Sequence, residues 1–250
     1  MTNVYKENGY IVLRDFFTPL ESDAIIESAN NLFELPDVKN RYMKYYENTS
    51  KGRILARIEK FFSEEPRMIN LLKSKVLPKL IDLEGEPMTL FKDKLNWKLP
   101  GGGEFKPHQD FEAYNDFPPS YYTTCAMFAD QCTIENGCLE MVAGEADKGV
   151  LPNNNGCIKN ELVESYIWEP VLVGPSDLVI FNAFVPHRSG KNTSNNTRRV
   201  FYFTFNKLDE GNYYGAYFDK KRKEMPPDFE RDPNKTYNTN NKYNLANPIN

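Results

Sequence analysis

The sequence predicts a mainly β protein with flanking helices, a sandwich or jelly roll, and three observations support this fold class. Short runs rich in β-branched and aromatic residues recur between residues 89 and 208. Turn-forming residues break these runs at short intervals. Many short strands separated by turns are typical of a sandwich rather than of a βαβ fold. We expect one domain, in which a helical flank (about 1–88) precedes a jelly-roll core (about 89–208) and a C-terminal extension (about 209–250).

The N-terminal flank begins with a short strand pattern at residues 9–14, and a helix start follows it. Residues 18–21, Thr-Pro-Leu-Glu, form a capping box with proline at the first helical position. Apolar residues then recur at helical spacing from Leu20 to Phe33, so we expect this face to pack on a sheet. A second helix is expected to begin near Ser63.

Arginine and tyrosine residues are concentrated between residues 40 and 61, and Tyr46, Arg53 and Arg57 belong to this cluster. Such side chains bind small charged molecules through cation–π contacts and forked hydrogen bonds. An amphipathic, solvated segment has a similar composition, so both interpretations stay open.

Strand patterns continue through the β-rich core. Residues 94–99 alternate, so their apolar members face a core while Lys94, Asn96 and Lys98 face either a wet surface or a polar cavity. Three consecutive glycines at 101–103 then indicate a turn. Asn136-Gly137 indicates a hairpin between two strands. Further strands are expected at residues 121–129, 171–173 and 177–182.

The last strand pattern, residues 198–205, separates two kinds of side chain. Arg199 and three phenylalanines share one face, which we expect to pack between sheets, while Arg198, Tyr202 and their neighbours at period two share the other. Arg198 is thereby directed into the barrel. A buried cation is costly without an anion, and arginine suits a bidentate carboxylate contact. The alternative is a structural salt bridge with an internal acid.

The chain contains only two histidines. His108 and Asp110 are separated by one residue, so in an extended strand their side chains point the same way. His187 follows a buried-strand pattern and precedes the strand that starts at Arg198. Two imidazoles and one carboxylate form the facial triad of non-haem Fe(II) oxygenases, which leaves three coordination positions open. We therefore predict a metal site at His108, Asp110 and His187.

Composition excludes several classes of partner. The chain has 31 Lys and Arg against 35 Asp and Glu, and it has no basic tract typical of nucleic-acid binding. Charged residues, glycine and proline interrupt every apolar run before the ~18 residues that a membrane span needs. The four cysteines lack zinc-ribbon spacing. We expect a soluble, cytoplasmic protein that acts on a small molecule.

Several motifs together resemble the phytanoyl-CoA dioxygenase family of Fe(II)/2-oxoglutarate enzymes. They are His108-x-Asp110, His187-x-Ser189, the arginine at position 198 and Asn136-Gly137-x-Leu139. The resemblance extends from about residue 9 to residue 208. It implies a double-stranded β-helix in which His108, Asp110 and His187 hold Fe(II).

The resemblance also implies a co-substrate site. Arg198 and Ser189 would hold the distal carboxylate of 2-oxoglutarate, with Asn96 and Tyr114 completing that pocket. The expected reaction consumes O2 and 2-oxoglutarate, releases succinate and CO2, and hydroxylates a C–H bond. Because Asp110 occupies the carboxylate position, hydroxylation is favoured over halogenation.

Within the family, residues 92–103 and 226–233 look most like the branch that hydroxylates 2-aminoethylphosphonate and its N-methylated relatives. This likeness implies a compact zwitterionic substrate. Tyr46, Arg57 and Gln109 are the candidate substrate contacts, and phosphonate oxygens are expected at Arg57 or at nearby cations.

Other functions stay open on the sequence alone. The same chemistry on a betaine, an amino acid or an acyl thioester is one alternative. A Zn(II) hydrolase with the same triad is another, although it would not need Arg198. A non-catalytic jelly-roll binding protein is the third, although it would not need an intact triad. The polar tail, residues 220–250, has the composition of a loosely structured segment, and its aromatic residues would allow docking across the barrel mouth.

Overall fold

The structure is a computed structural model that describes residues 2–49, 52–237 and 243. Its secondary structure is mostly antiparallel sheet with flanking helices. The α-helices are α1 (Thr2–Asn8), α2 (Pro19–Glu34), α3 (Pro66–Leu71), α4 (Leu77–Glu84), α5 (Asn160–Ser165) and α6 (Tyr214–Glu224). The strands are β1 (Tyr10–Leu13), β2 (Met43–Thr49), β3 (Gly52–Glu59), β4 (Met88–Lys98), β5 (Phe105–His108), β6 (Tyr122–Phe128), β7 (Leu139–Met141), β8 (Asn153–Asn154), β9 (Cys157–Ile158), β10 (Glu169–Val171), β11 (Leu178–Asn182), β12 (His187–Ser189) and β13 (Arg198–Lys207).

The strands form two sheets, which pack as a jelly roll and confirm the predicted fold class. The larger sheet has the order β1-β11-β6-β13-β4-β3-β2, and the smaller has the order β10-β7-β12-β5-β9-β8. A core between the sheets joins Val200 and Tyr202 of the larger sheet to Leu139 and Met141 of the smaller. This interior is where the candidate site lies.

A second core covers the outer face of the larger sheet and corrects one expectation. Phe201 and Phe203 of β13 pack there with Ile25 and Ala29 of α2, not between the two sheets. The alternation of β13 was predicted correctly, but period two does not say which face meets the helices. The capping box at the start of α2 is present. The Thr18 hydroxyl oxygen accepts a hydrogen bond from the Glu21 amide, and the Thr18 amide donates one to the Glu21 carboxylate.

The N-terminal flank is not purely helical, because β2 and β3 extend the edge of the larger sheet. Their inward face carries charged side chains that are nonetheless buried, among them Glu47, Arg57 and Glu59. A buried strand normally has an apolar inward face, so these charges concealed the strand pattern. The interpretation of residues 40–61 as a solvated segment was therefore wrong.

The Asn136-Gly137 turn connects the two sheets and is not a hairpin, since β6 lies in the larger sheet and β7 in the smaller. Asn136 accepts a hydrogen bond from the Thr133 amide and donates one to the Gln131 carbonyl. Gly137 has a φ of +72°, and a Cβ there would lie 2.3 Å from the carbonyl oxygen of Gly190. Glycine is needed here for conformation and for close approach.

Part of the C-terminal extension is ordered against the sheets. Helix α6 buries Tyr217, Phe218 and Lys221, so the expectation of a loosely structured tail was wrong for residues 220–224. Tyr243 is 5% exposed and accepts a hydrogen bond from Arg57 through its carbonyl oxygen. No helix in the described ranges has both the length and the apolarity to cross a membrane.

Candidate active site

Two strands of the smaller sheet bring the three predicted metal-binding residues together. His108 ends β5, His187 begins β12, and the two residues are directly paired. Asp110 follows β5 at the start of a short helical turn. The potential ligand atoms all lie within 4.8 Å of one another, and Asp110 Oδ1 is 3.8 Å from Nε2 of each histidine. The convergence expected from the sequence is therefore present.

Both imidazoles are held in one orientation by the backbone. Nδ1 of His108 is 2.7 Å from the Lys106 carbonyl oxygen, and Nδ1 of His187 is 3.0 Å from that of Val185. A proton on each Nδ1 satisfies these contacts and leaves each Nε2 lone pair free to face Asp110. This arrangement presents two nitrogen atoms and one carboxylate to a shared point.

The electrostatics favour the protonation states that a metal requires. Burial, followed by the neighbouring His187, lowers the pKa of His108 to about 3, and burial lowers the pKa of His187. Burial acts to raise the pKa of Asp110, but His187, Lys94 and Lys92 outweigh it and hold that pKa below its usual range. Neutral imidazoles and an ionised carboxylate are the forms that bind metal ions. The residues fit Fe(II).

A cavity opens on one side of this cluster, and we call it the co-substrate compartment. It is lined by Lys94, Asn96, Phe105, His108, Asp110, Leu139, His187, Arg188, Ser189 and Tyr202. Arg198, the first residue of β13, is 1% exposed and does not itself line this cavity. Its Nε and Nη1 atoms have no hydrogen-bond partner in the described part of the chain. An uncompensated buried guanidinium of this kind fits an incoming carboxylate.

A second cavity, of about 40 Å³, adjoins the cluster, and we call it the substrate compartment. It is lined by Arg57, Glu59, Lys92, Lys94, Phe105, His108, Asp110, Ala113, Tyr217, Lys221 and Tyr243. Four of these side chains are cationic, whereas Glu59 and Asp110 are the only carboxylates that the described residues contribute to the lining. Glu59 is already bound by Lys221 at 2.5 Å and by Arg57 at 3.2 Å.

The structure brings several predicted residues to these compartments. Ser189 and Asn96 line the co-substrate compartment, and Arg57 lines the substrate compartment. Asn96 Oδ1 also accepts a hydrogen bond from Arg57 Nε at 3.3 Å, which links the two cavities. Tyr114 is fully buried beneath the ammonium group of Lys92 and is absent from the lining of either cavity.

Two candidate substrate contacts lie elsewhere and are corrected. The Tyr46 hydroxyl donates to Asp37 at 3.2 Å, and its ring packs toward the helix-covered core under Arg53. A bulge after Tyr45 in β2 changes the register of this strand at that point. Gln109 is buried, donates to the Gly149 and Phe184 carbonyls, and accepts from the Leu151 amide. Both of its amide protons are thereby used, so Gln109 has no donor left for an anionic substrate.

Sequence reasoning named Arg57 but missed the three lysines of the substrate compartment. Lys92 and Lys94 come from β4, and Lys221 comes from α6. The alternation at residues 94–98 was a usable signal for the β4 face, because it left a polar cavity as one of two interpretations. Nothing local marks Lys221, which lies 162 residues from its partner Glu59.

The fold and the site together define an iron- and 2-oxoglutarate-dependent oxygenase. A family model for phytanoyl-CoA dioxygenases matches residues 5–200, so the chain belongs to the phytanoyl-CoA dioxygenase family. Fe(II), 2-oxoglutarate and O2 are accordingly its cofactor and co-substrates, and it is a dioxygenase acting on a small molecule. The hydrolase and the non-catalytic binding protein are thereby excluded.

Two named relatives are similar in sequence to this protein over most of its length. A 2-aminoethylphosphonate dioxygenase from uncultured bacterium HF130_AEPn_1 is 36% identical, covering 98% of this chain and 95% of the relative. A methylphosphonate hydroxylase from Gimesia maris is 34% identical, covering 88% and 84%. The crystal structure of EctD from S. alaskensis with 2-oxoglutarate and 5-hydroxyectoine has a TM-score of 0.71 at 19% identity, covering 84% and 76%. That structural likeness concerns the fold.

Proposed function

We propose that this protein hydroxylates a small organophosphonate, with 2-aminoethylphosphonate and its N-methylated form as the first candidates. The observation that carries the proposal is the excess of buried positive charge in the substrate compartment. Arg57, Lys92, Lys94 and Lys221 face that cavity with Glu59 as their acidic counterpart apart from the metal-binding Asp110. Buried cations require anions, and a phosphonate supplies up to two negative charges in a compact group. The names of the two phosphonate-oxidising relatives support the same substrate class.

In this proposal His108, Asp110 and His187 hold Fe(II), and Arg198 with Ser189 holds the distal carboxylate of 2-oxoglutarate. Together, bound iron and 2-oxoglutarate supply the oxidising chemistry: one O2 converts 2-oxoglutarate to succinate and CO2 and places its second oxygen atom in the substrate C–H bond. The chain's own task is to orient the substrate and to exclude water. The cations fix the anionic end, while Tyr217 and Tyr243 form an aromatic wall.

The dimensions of the cavity favour a compact substrate over an acyl thioester. The cavity itself holds about 40 Å³, far below the ~300–1,000 Å³ of pockets that take drug-sized ligands. A coenzyme A thioester would extend far outside it. Small betaines and amino acids fit by size, but they carry a single negative charge and leave more of the buried positive charge uncompensated.

The test is succinate release with Fe(II) and 2-oxoglutarate in the presence of candidate substrates. We expect 2-aminoethylphosphonate, its trimethylated form or methylphosphonate to stimulate turnover, with one hydroxylated product formed per succinate. The carboxylate and sulfonate counterparts, β-alanine and taurine, are the matched controls. The Asp110→Ala variant, which lacks one metal ligand, measures the succinate release that does not depend on the metal site. If every phosphonate leaves turnover at the level without substrate, the proposed substrate class is wrong.

A further inference from the structure

The inner face of β4 carries a row of three lysines, of which Lys92 and Lys98 are buried and Lys94 is half-buried. Residues two apart on a strand are ~6.6 Å apart on the same face, so the row runs along the length of the interior. No carboxylate oxygen lies within 4 Å of any of the three ammonium groups in the ranges that the structure describes. Burial lowers the pKa of each lysine, although Asp110 and Glu59 act to raise it for Lys92 and Lys94.

The row begins in the substrate compartment. Lys92 is 5% exposed and lines that cavity but not the co-substrate compartment. Its ammonium nitrogen lies 4.6 Å from the ring centroid of Tyr114 and 5.7 Å from that of Tyr217. The two rings fix the side chain on one side and leave its charge directed at the cavity.

The row ends beside the co-substrate compartment. Lys98 is 2% exposed and pairs directly across the strands with Arg198, so two like charges are opposed in the interior. Such a pair is unfavourable without an anion between or beside its members. Lys98 Nζ donates to Ser189 Oγ at 2.7 Å and to the Gly190 carbonyl at 2.5 Å. Because Ser189 Oγ accepts this bond, its own hydroxyl proton is free to point at a bound carboxylate.

Lys94 lies between the two ends and lines both compartments. Its cross-strand neighbours are Glu59 on β3 and Tyr202 on β13, and its ammonium nitrogen is 4.7 Å from the Tyr202 ring centroid. Asp110 lines the same two cavities. Lys94 therefore borders the point where co-substrate and substrate meet at the metal-binding cluster.

We propose that this row divides the anions of the reaction: Lys92 binds the substrate anion, Lys98 positions Ser189 for the distal carboxylate of 2-oxoglutarate, and Lys94 serves both. The assignment of Lys92 and Lys94 to a substrate anion rests on the proposed function. The assignment of Lys98 does not, because it follows from its contact with Ser189 and its opposition to Arg198. Lys98 is a positioning residue, since it acts through Ser189.

The experiment compares Lys92→Met, Lys94→Met and Lys98→Met by two independent measurements. The first is the dissociation constant of 2-oxoglutarate, titrated anaerobically with Fe(II) through the visible charge-transfer band. The second is the KM for the phosphonate, together with the ratio of hydroxylated product to succinate. Loss of one charge-assisted hydrogen bond predicts a weakening of at least about tenfold.

We expect Lys92→Met to raise the phosphonate KM and to lower the product-to-succinate ratio, with 2-oxoglutarate binding unchanged. Lys98→Met should weaken 2-oxoglutarate binding alone, and Lys98→Arg should restore most of it. Lys94→Met should impair both. Lys44→Met is the matched control, because Lys44 is a buried lysine of the same sheet that donates instead to the Phe33 and Leu35 carbonyls. Lys92→Gln replaces Lys92→Met if the methionine variant does not fold.

Equal losses of 2-oxoglutarate affinity in Lys92→Met and Lys98→Met would overturn the division, and so would normal 2-oxoglutarate binding in Lys98→Met. A phosphonate KM unchanged in Lys92→Met would overturn the substrate assignment. If no phosphonate supports turnover in the unmodified protein, the proposed function fails instead. The 2-oxoglutarate titrations then still decide the assignment of Lys98, because they require no substrate.

Discussion

Replacing Arg198 with methionine should stabilise the protein in the absence of 2-oxoglutarate. Arg198 is 1% exposed, two of its guanidinium nitrogens have no partner, and Lys98 lies directly opposite. An unsatisfied buried donor costs about 1–3 kcal/mol, and like charges opposed in a sheet add to that cost. We expect the unfolding free energy to rise by about 1–3 kcal/mol. At ~2–4 °C per kcal/mol for a chain of this size, Tm should increase by several degrees.

Saturating 2-oxoglutarate should reverse this order. A ligand at 100 times its dissociation constant adds about 2.7 kcal/mol to the unmodified protein and nothing to a variant that cannot bind it. The assay is urea unfolding with Fe(II) under anaerobic conditions, with and without 2-oxoglutarate. Arg199→Met is the matched control: Arg199 lies on the opposite face and binds Asp130 through its Nε and Nη2 at 2.8 Å. It should lose stability and keep the full gain from the ligand.

If Arg198→Met loses stability without 2-oxoglutarate, as Arg199→Met does, then the guanidinium is compensated in the apoprotein and the reasoning is wrong. If both variants gain equally from 2-oxoglutarate, Arg198 does not hold the co-substrate. The sign of the change in unfolding free energy, without and with 2-oxoglutarate, is therefore more informative than its size.

Three further predictions concern the metal cluster, a buried ion pair and a corrected contact. Asp110→Ala should abolish both turnover and the anaerobic visible band with 2-oxoglutarate, because two imidazoles alone lack the carboxylate ligand; a persisting band would contradict the triad. Burial acts to raise the pKa of Glu59, but Lys221 and Arg57 lower it from 4.5 to about 2, so the pair should stabilise the fold above about pH 4.5 and lose that contribution as pH falls toward 2. Acid unfolding of Glu59→Gln/Lys221→Met should lack this part of the pH dependence, and an unchanged acid transition would argue against it. Gln109→Leu should lower the unfolding free energy by about 1–3 kcal/mol, measured in urea, whereas a change in substrate preference without loss of stability would restore Gln109 as a substrate contact.

The metal cluster was predictable because its geometry follows from local rules. His108 ends β5 and Gln109 is still extended, so a spacing of two residues puts His108 and Asp110 on one side of the chain. The chain offers one other histidine as the third ligand. The alternation of β13 likewise separated Arg198 from Arg199 and the phenylalanines, although period two alone does not say which face is the inner one. In each case the two-residue alternation of side chains is a property of extended backbone itself, so it does not depend on tertiary structure.

Prediction from local sequence patterns failed where charged or polar side chains are buried. Strand β3 buries Arg57 and Glu59 on its inward face, which is the reverse of the apolar pattern used to recognise a strand. Gln109 was a candidate substrate contact, but the alternation that directs His108 and Asp110 to one side directs Gln109 to the other, toward carbonyl groups of distant loops. The aromatic cluster at Tyr46 was divided between two faces by a bulge that the sequence does not mark.

The substrate compartment could not be assembled from sequence because its charges come from segments far apart in the chain. The lining of the co-substrate compartment lies entirely between Lys94 and Tyr202. The substrate compartment also needs Glu59 from β3, Lys221 from α6 and Tyr243, and the last two lie beyond the matched family region at 5–200. The two halves of the site can therefore vary separately. Changes in the C-terminal extension alter the wall that faces the substrate and leave the co-substrate contacts intact, which is a physical route by which one oxidising centre can serve different substrates.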